Sequence, residues 1–138
     1  MRTNGSEQQR RQTAPAPGAP SPALIDVDHL ARQTLFDVNL RRQILGLFKV
    51  DATARLATLS ATEDPAVWRL AAHSIKGAAR TIGAFPCAAI AERLEKSEWP
   101  LNADLRQQLI ASMSSAVDDI IGRIDELQRN EPGDAPAG

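Results

Sequence analysis

Asp64-Pro65-Ala66-Val67-Trp68-Arg69-Leu70-Ala71-Ala72-His73-Ser74-Ile75-Lys76-Gly77-Ala78-Ala79-Arg80-Thr81-Ile82-Gly83 is the stretch from which the rest of the chain can be read. Aspartate followed by proline opens a helix, because Asp can cap it and Pro is at home in its first position. Gly83 is a natural stop. On an ideal wheel of about 100° per residue, Val67, Ala71, Ser74, Ile75, Ala78 and Ile82 gather within about a third of the circumference, and they are predicted as the buried face. His73 then points about 150° away from the centre of that face, toward solvent. Arg69, Lys76 and Arg80 lie at i−4, i+3 and i+7 from it, as helix-surface neighbours. Gly77, at i+4, sits on its flank.

Two features are unusual for a merely structural helix. Three cations around one exposed imidazole disfavour a further positive charge, so a neutral, nucleophilic ring is expected. The same cations would stabilise a dianionic phosphoryl group placed on it. A glycine inside a helix costs about 1 kcal/mol against alanine; at Gly77 the return is room for another molecule to approach the ring. An exposed histidine, a cationic face or a mid-helix glycine is ordinary alone. Their conjunction is not.

Outward from this helix, every periodic segment is helical. A short helix is predicted over 27–35, with Asp26 or Asp28 near its cap. A second covers 38–60, with Leu45, Phe48, Ala52, Leu56 and Leu59 on one face and Leu40, Leu47, Val50 and Ala54 on another. A fourth spans 86–98, with Cys87, Ile90, Ala91 and Leu94 inward. A fifth spans 103–129, with Leu105, Leu109, Met113, Ala116, Ile120, Ile124 and Leu127 at spacings of three and four. Short connections between long helices predict an all-α fold, an antiparallel up-and-down four-helix bundle with a short N-terminal cap helix. Residues 1–22, polar and interrupted by Pro15, Pro17, Pro20 and Pro22, are predicted as a disordered tail, 23–130 as the domain and 131–138 as a second disordered end.

Composition narrows the function. The net charge of −1 gives no reason to expect nucleic acid or an anionic membrane surface as partner. One cysteine, Cys87, excludes an intramolecular disulfide and argues against a structural zinc site. No apolar run approaches the ~20 residues that span a bilayer, and no secretory signal is read, so a cytoplasmic protein is expected. Thirteen arginines against three lysines, with abundant alanine, point to a high-GC bacterial genome. No glycine-rich phosphate loop is present, so no nucleotide-dependent self-phosphorylation is expected. Glu92, Glu95 and Glu98 are read as a solvated face, and Trp68 and Trp99 as packing or helix-end anchors. His29 has Gln33 where a small residue is needed and is not read as a second site.

The run His73-Ser74-Ile75-Lys76-Gly77, with Gly83 beyond it and Ala88, Ile90, Ala91, Leu94 and Glu95 in the next helix, resembles the signature of the histidine phosphotransfer (HPt) domain family. The resemblance covers about 26–129. It implies that His73 is the phosphoacceptor, that Lys76 contacts the phosphoryl group, and that Gly77 lets a receiver domain close over the histidine, with Arg80 and Arg69 as further cations. It implies receiver domains of hybrid histidine kinases and response regulators as partners of a monomer. The chain itself would hold no cofactor or metal, and Mg²⁺ would come with the receiver. Cys87, where the family often has Leu, is read as packing. Leu70, Leu40 and Leu47 are the expected partner-binding residues, unless the N-terminal helix, through Leu30 and Leu35, covers Leu40 and Leu47. Two other functions fit the same residues: the phosphoacceptor module of a chemotaxis-type histidine kinase, and an interaction module that binds receivers without being phosphorylated.

Overall fold

The computed structural model describes residues 23–129; both expected disordered segments, 1–22 and 131–138, lie outside the described residues. The described chain is all-helical: α1 Val27–Gln33, α2 Val38–Ala61, α3 Pro65–Thr81, α4 Phe85–Glu95 and α5 Ala103–Arg129. Short polar side chains start four of them. Asp26, Asp37, Asp64 and Asn102 accept backbone N–H groups of His29, Leu40, Ala66 and Leu105 at 3.0, 3.1, 2.9 and 2.7 Å, satisfying donors that a helix N-terminus leaves orphaned. α4 has no side-chain cap at Ala84 and relies on Pro86 in its first turn.

α3 packs on α2 and α4, and α5 packs on α2 and α4. Residues early in α2 meet residues late in α5, as Lys49 Nζ does Asp125 at 2.8 Å. Late in α2 the partner is early in α5: Arg106 donates to the carbonyls of Leu59 at 3.2 Å and Thr62 at 2.7 Å. The same guanidinium lies 5.8 Å from the Trp68 ring and 5.9 Å from Trp99. Trp68 is wholly buried and donates its indole N–H to Leu94 O at 2.8 Å, which ties α3 to α4.

The buried face of α3 is rotated from the expected one, although Ala71, Ile75 and Ile82 are buried as expected. Trp68, Ala71, Ala72, Ile75 and Ala79 face the core, while Val67 is exposed and Ser74 and Ala78 are half-buried. The bulk of Trp68, read from the sequence as packing or a helix-end anchor but not placed on the buried face, turns the helix about its axis. His73 still lies about 150° from the centre of the observed face. α4 ends at Glu95, three residues short of the expected 98, where the N–H groups of Lys96 and Ser97 close on Glu92 O and Leu94 O. In α5, Val117 is buried where Ala116 was expected, and Leu105 is 41% exposed.

Between α1 and α2 the chain turns through two consecutive non-glycine residues in the left-handed region, Leu35 at φ 55° and Phe36 at φ 57°. That conformation costs about 1–2 kcal/mol per residue. It ends α1 at Gln33 rather than 35. Three backbone bonds hold it, Leu35 N–H to Arg32 O, Phe36 N–H to Ala31 O and Asp37 N–H to Thr34 O, beside the buried Thr34 hydroxyl on Leu30 O.

A second turn joins α3 to α4. Gly83, at φ 81°, donates to Arg80 O, and Ala84 donates to Ala79 O at 2.8 Å. The carbonyl of Gly83 in turn accepts from Asp26 N–H at 2.8 Å, which seats the lead-in to α1 on the turn. A Cβ at Gly83 would stand 2.7 Å from Asp26 O, whereas one at Gly77 would meet nothing within 4 Å. Gly83→Ala is therefore expected to destabilise by at least ~2 kcal/mol, from left-handed strain plus the clash. Gly77→Ala is expected to stabilise by about 0.5–1 kcal/mol. Urea midpoints at unchanged m-value measure both; the same sign for the two would contradict this account of the turn.

Candidate functional site

His73 sits near the middle of α3 with its side chain 61% exposed. It is not free. Its Nδ1 lies 2.7 Å from Glu95 Oε2 on α4. A carboxylate can only accept, so Nδ1 carries the proton, and in the neutral ring the lone pair belongs to Nε2, the nitrogen remote from Glu95. The other oxygen of Glu95, Oε1, accepts from Lys76 Nζ. Lys76, one turn after His73, is only 13% exposed and also stands 3.9 Å from Glu92 Oε1. Glu92 pairs with Arg80 at 3.2 Å and with Lys96 at 3.5 Å.

The three-cation field expected around His73 is thus corrected. Lys76 and Arg80 both face α4 carboxylates, and Arg69 is exposed one turn before the histidine. The reading of Glu92 and Glu95 as a solvated face is overturned for the same reason: both are engaged across the α3–α4 contact, Glu95 with its side chain 22% exposed. The hydrogen bond from Lys76 holds the Glu95 carboxyl below its ordinary range, partial burial opposes this, and the His73 hydrogen bond adds to the lowering. The sequence did carry a signal for Glu95. Measured from the observed buried face of α4, Cys87, Ala88, Ala91 and Leu94, it lies only about 50° round the wheel. A carboxylate that close to a core needs a partner.

The other side of His73 is apolar and open. Leu70 is 62% exposed, Leu47 67% and Val50 72%, and Leu40 is half-buried. Leu30 is buried but Leu35 is not, so the N-terminal helix leaves Leu47 uncovered. A groove of about 480 Å³ runs between α2 and α3, walled by Leu47, Val50, Ala54, Ala78 and Thr81. Thr81, one turn after Gly77, bonds its hydroxyl to Gly77 O at 3.0 Å.

The remaining candidates are structural. His29 donates Nε2–H to Arg80 O at 3.0 Å and sets its ring edge-to-face on Phe85, centroids 5.0 Å apart. Cys87 is buried, and burial pushes its thiol up to about 11. Among the described residues no three His, Cys, Asp or Glu side chains are grouped to hold a metal ion, and no helix is long and apolar enough to cross a membrane.

An all-helical chain with an exposed histidine, followed one turn on by Lys76 and Gly77, has the features of a histidine phosphotransfer domain. The model of the Hpt domain family matches residues 43–129, and the chain belongs to that family. Among solved structures it is similar to the crystal structure of histidine-containing phosphotransfer protein B (HptB) from Pseudomonas aeruginosa PAO1, at 26% identity and a TM-score of 0.70 over 80% of this chain and 100% of that one. No curated protein sequence matches it.

Glu95→Gln separates the charge of this carboxylate from its shape. A carboxyl held low in the folded state contributes stability that is present above its unfolded value, near 4.5, and lost as pH falls through the lowered folded value. The wild-type protein is expected to exceed the variant in melting temperature at pH 7, with the gap closing on acidification below about 4.5. Thermal melts from pH 7 to 3 check this; a gap independent of pH would mean that the charge of Glu95 does not matter to folding.

Proposed function

We propose that this chain accepts a phosphoryl group from the aspartate of a receiver domain onto Nε2 of His73 and passes it to the aspartate of a second receiver. Support comes first from one observation, the Nδ1–H of His73 on Glu95, which leaves Nε2 as the nucleophilic nitrogen. The Nε2 lone pair attacks phosphorus, the P–O bond to the donor aspartate breaks, and the carboxylate departs with the electron pair. The ring, now bonded to phosphorus at one nitrogen and to hydrogen at the other, is cationic. Glu95 stands against that charge. Reversal toward a second aspartate returns the electron pair to Nε2.

Lys76, expected from the resemblance to contact the phosphoryl group, has a further part here. Held by Glu95 and near Glu92, it orients the carboxylate that orients His73, and meets phosphoryl oxygens only by loosening that grip. Arg80 and Arg69, on the same side of α3, are the more exposed cations for the incoming group. Gly77 gives the clearance, and Leu70, Leu47 and Leu40 the apolar surface on which a receiver rests. The Mg²⁺ of such a reaction would arrive with the receiver. The chain acts as a cytoplasmic, monomeric phosphocarrier without kinase machinery of its own. Its four longer helices form an antiparallel up-and-down bundle, with α1 as a cap at the end where α3 turns into α4.

His73→Gln should keep the fold and abolish labelling by a phosphorylated receiver, and the wild-type label should be acid-labile and base-stable, as a phosphoramidate is. Glu95→Gln should retain labelling but slow it by about tenfold or more. Rapid-quench transfer assays decide; label that survives His73→Gln would place the acceptor elsewhere.

A further inference from the structure

We propose that the Leu35–Phe36 turn is a partner-selecting contact, an apolar knob that a receiver domain covers while its aspartate reaches His73. The proposal rests on the phosphotransfer reading of His73.

Leu35 and Phe36 are 79% and 76% exposed, the most exposed large hydrophobic side chains among the described residues. Both occupy a backbone region that side chains of this kind avoid, and they do so consecutively. Neither packs on the core, so burial does not compensate for the strain. Asn or Gly would suit both positions better, for the backbone and for solubility. Strained residues that display apolar side chains to solvent are the expected form of a preorganised binding element. Phe is also among the aromatic residues enriched at protein interfaces.

The position of the turn selects the partner. α1 lies across the end of α3, where His29 bonds to Arg80 O and Asp26 to Gly83 O, and the turn leads from it directly into α2. Down α2 follow Leu40, Leu47 and Val50, and the groove beside them reaches Thr81 on α3, two turns beyond His73. At ~1.5 Å per residue, the path from His73 to Ile82 and from Ile44, which lines the same groove, back to the turn adds to roughly 25 Å. That is about the width of a domain of ~100 residues, so one receiver seated over His73 can touch both ends. The turn also lies ahead of residues 43–129, the span of the family model. The residues of the chemistry fall inside that span and the knob outside it, as suits a contact that distinguishes receivers instead of reacting with them.

The test is the double variant L35N/F36N in the full chain, because Asn tolerates the left-handed region. Receiver domains from the source genome are purified singly, loaded with acetyl phosphate, desalted and used as donors. The melting temperature of the variant is expected to stay level or rise. For the receiver that the wild type prefers, KM is expected to rise about tenfold with kcat unchanged, while poorer receivers change little, so that discrimination shrinks. KM unchanged for all receivers overturns the proposal. So does a fall in melting temperature with a matching fall in kcat, which would make the turn structural. Sedimentation showing a wild-type dimer that the variant dissociates, without change in KM, overturns it by assigning the knob to a second copy. If the wild type takes label from no receiver, the reading of His73 fails and the role of the turn with it; altered discrimination is absent with His73 still labelled only when the turn alone is misread.

Discussion

Because Gly83 adopts φ 81°, α4 leaves the end of α3 after three residues and returns along it, and this reversal determines which side chains His73 meets. The N–H groups of Gly83 and Ala84 close on the last turn of α3, and the Gly83 carbonyl takes the Asp26 N–H, so the turn has little freedom to open. Trp68 on Leu94 O anchors the far end of the same helix pair. Between these two fixed points, Glu92 and Glu95 project from α4 onto the side of α3 that bears Lys76 and Arg80. Without the reversal, His73 would be an exposed imidazole with nothing to choose between its two nitrogens.

The ion pairs across this contact matter more for geometry than for stability. Partly exposed pairs contribute about 0–1 kcal/mol each, less in salt. Removing one would leave the helices packed. What Glu95 supplies is direction: two oxygens, one for Lys76 and one for His73, fix both the rotation of the imidazole and the location of its proton. In the proposed transfer the carboxylate is anionic beforehand and the ring becomes cationic, so the stabilising charge would already be in place and would not have to reorganise.

Much of the fold was legible because its signals are local. Asp26, offered beside Asp28, and Asp64 read as caps and act as caps, and the bounds of α5 follow from period alone. Gly83 read as a stop, although its left-handed φ and its bond to Asp26 depend on tertiary contact. The misreadings arise where one helix acts on another. The face of α3 was drawn from small and aliphatic residues, and the indole of Trp68 outweighs them. The expected end of α4 at 98 lies just before the break at Pro100; backbone bonds to Glu92 and Leu94 end the helix first. Glu95 was visible as a letter of the family pattern, but its function depends on the rotation of α4 against α3, which no single-helix wheel contains. Leu35 and Phe36 were read as helix end and connection, and nothing in their identity announces two positive φ angles.

α3 is divided lengthwise by His73. On one side lie the exposed Arg69 and, paired with α4 carboxylates, Lys76 and Arg80; on the other lie Leu70, Gly77 and Thr81, the last of which lines the groove against α2. The first side is already occupied by carboxylates that an anionic phospho-aspartate would have to approach against like charge. The second offers apolar surface and, at Gly77, open space where a Cβ meets nothing. A partner bringing negative charge to Nε2 is therefore repelled least when its bulk comes over Gly77 and its phosphoryl oxygens turn toward the exposed arginines. In the proposed reaction the helix would orient the visitor as well as the nucleophile, with residues that add little to the stability of the bundle. Exposed Leu47, Val50 and Leu70 carry a cost in solubility, and apolar side chains left bare in this way suit a surface that a partner covers in passing.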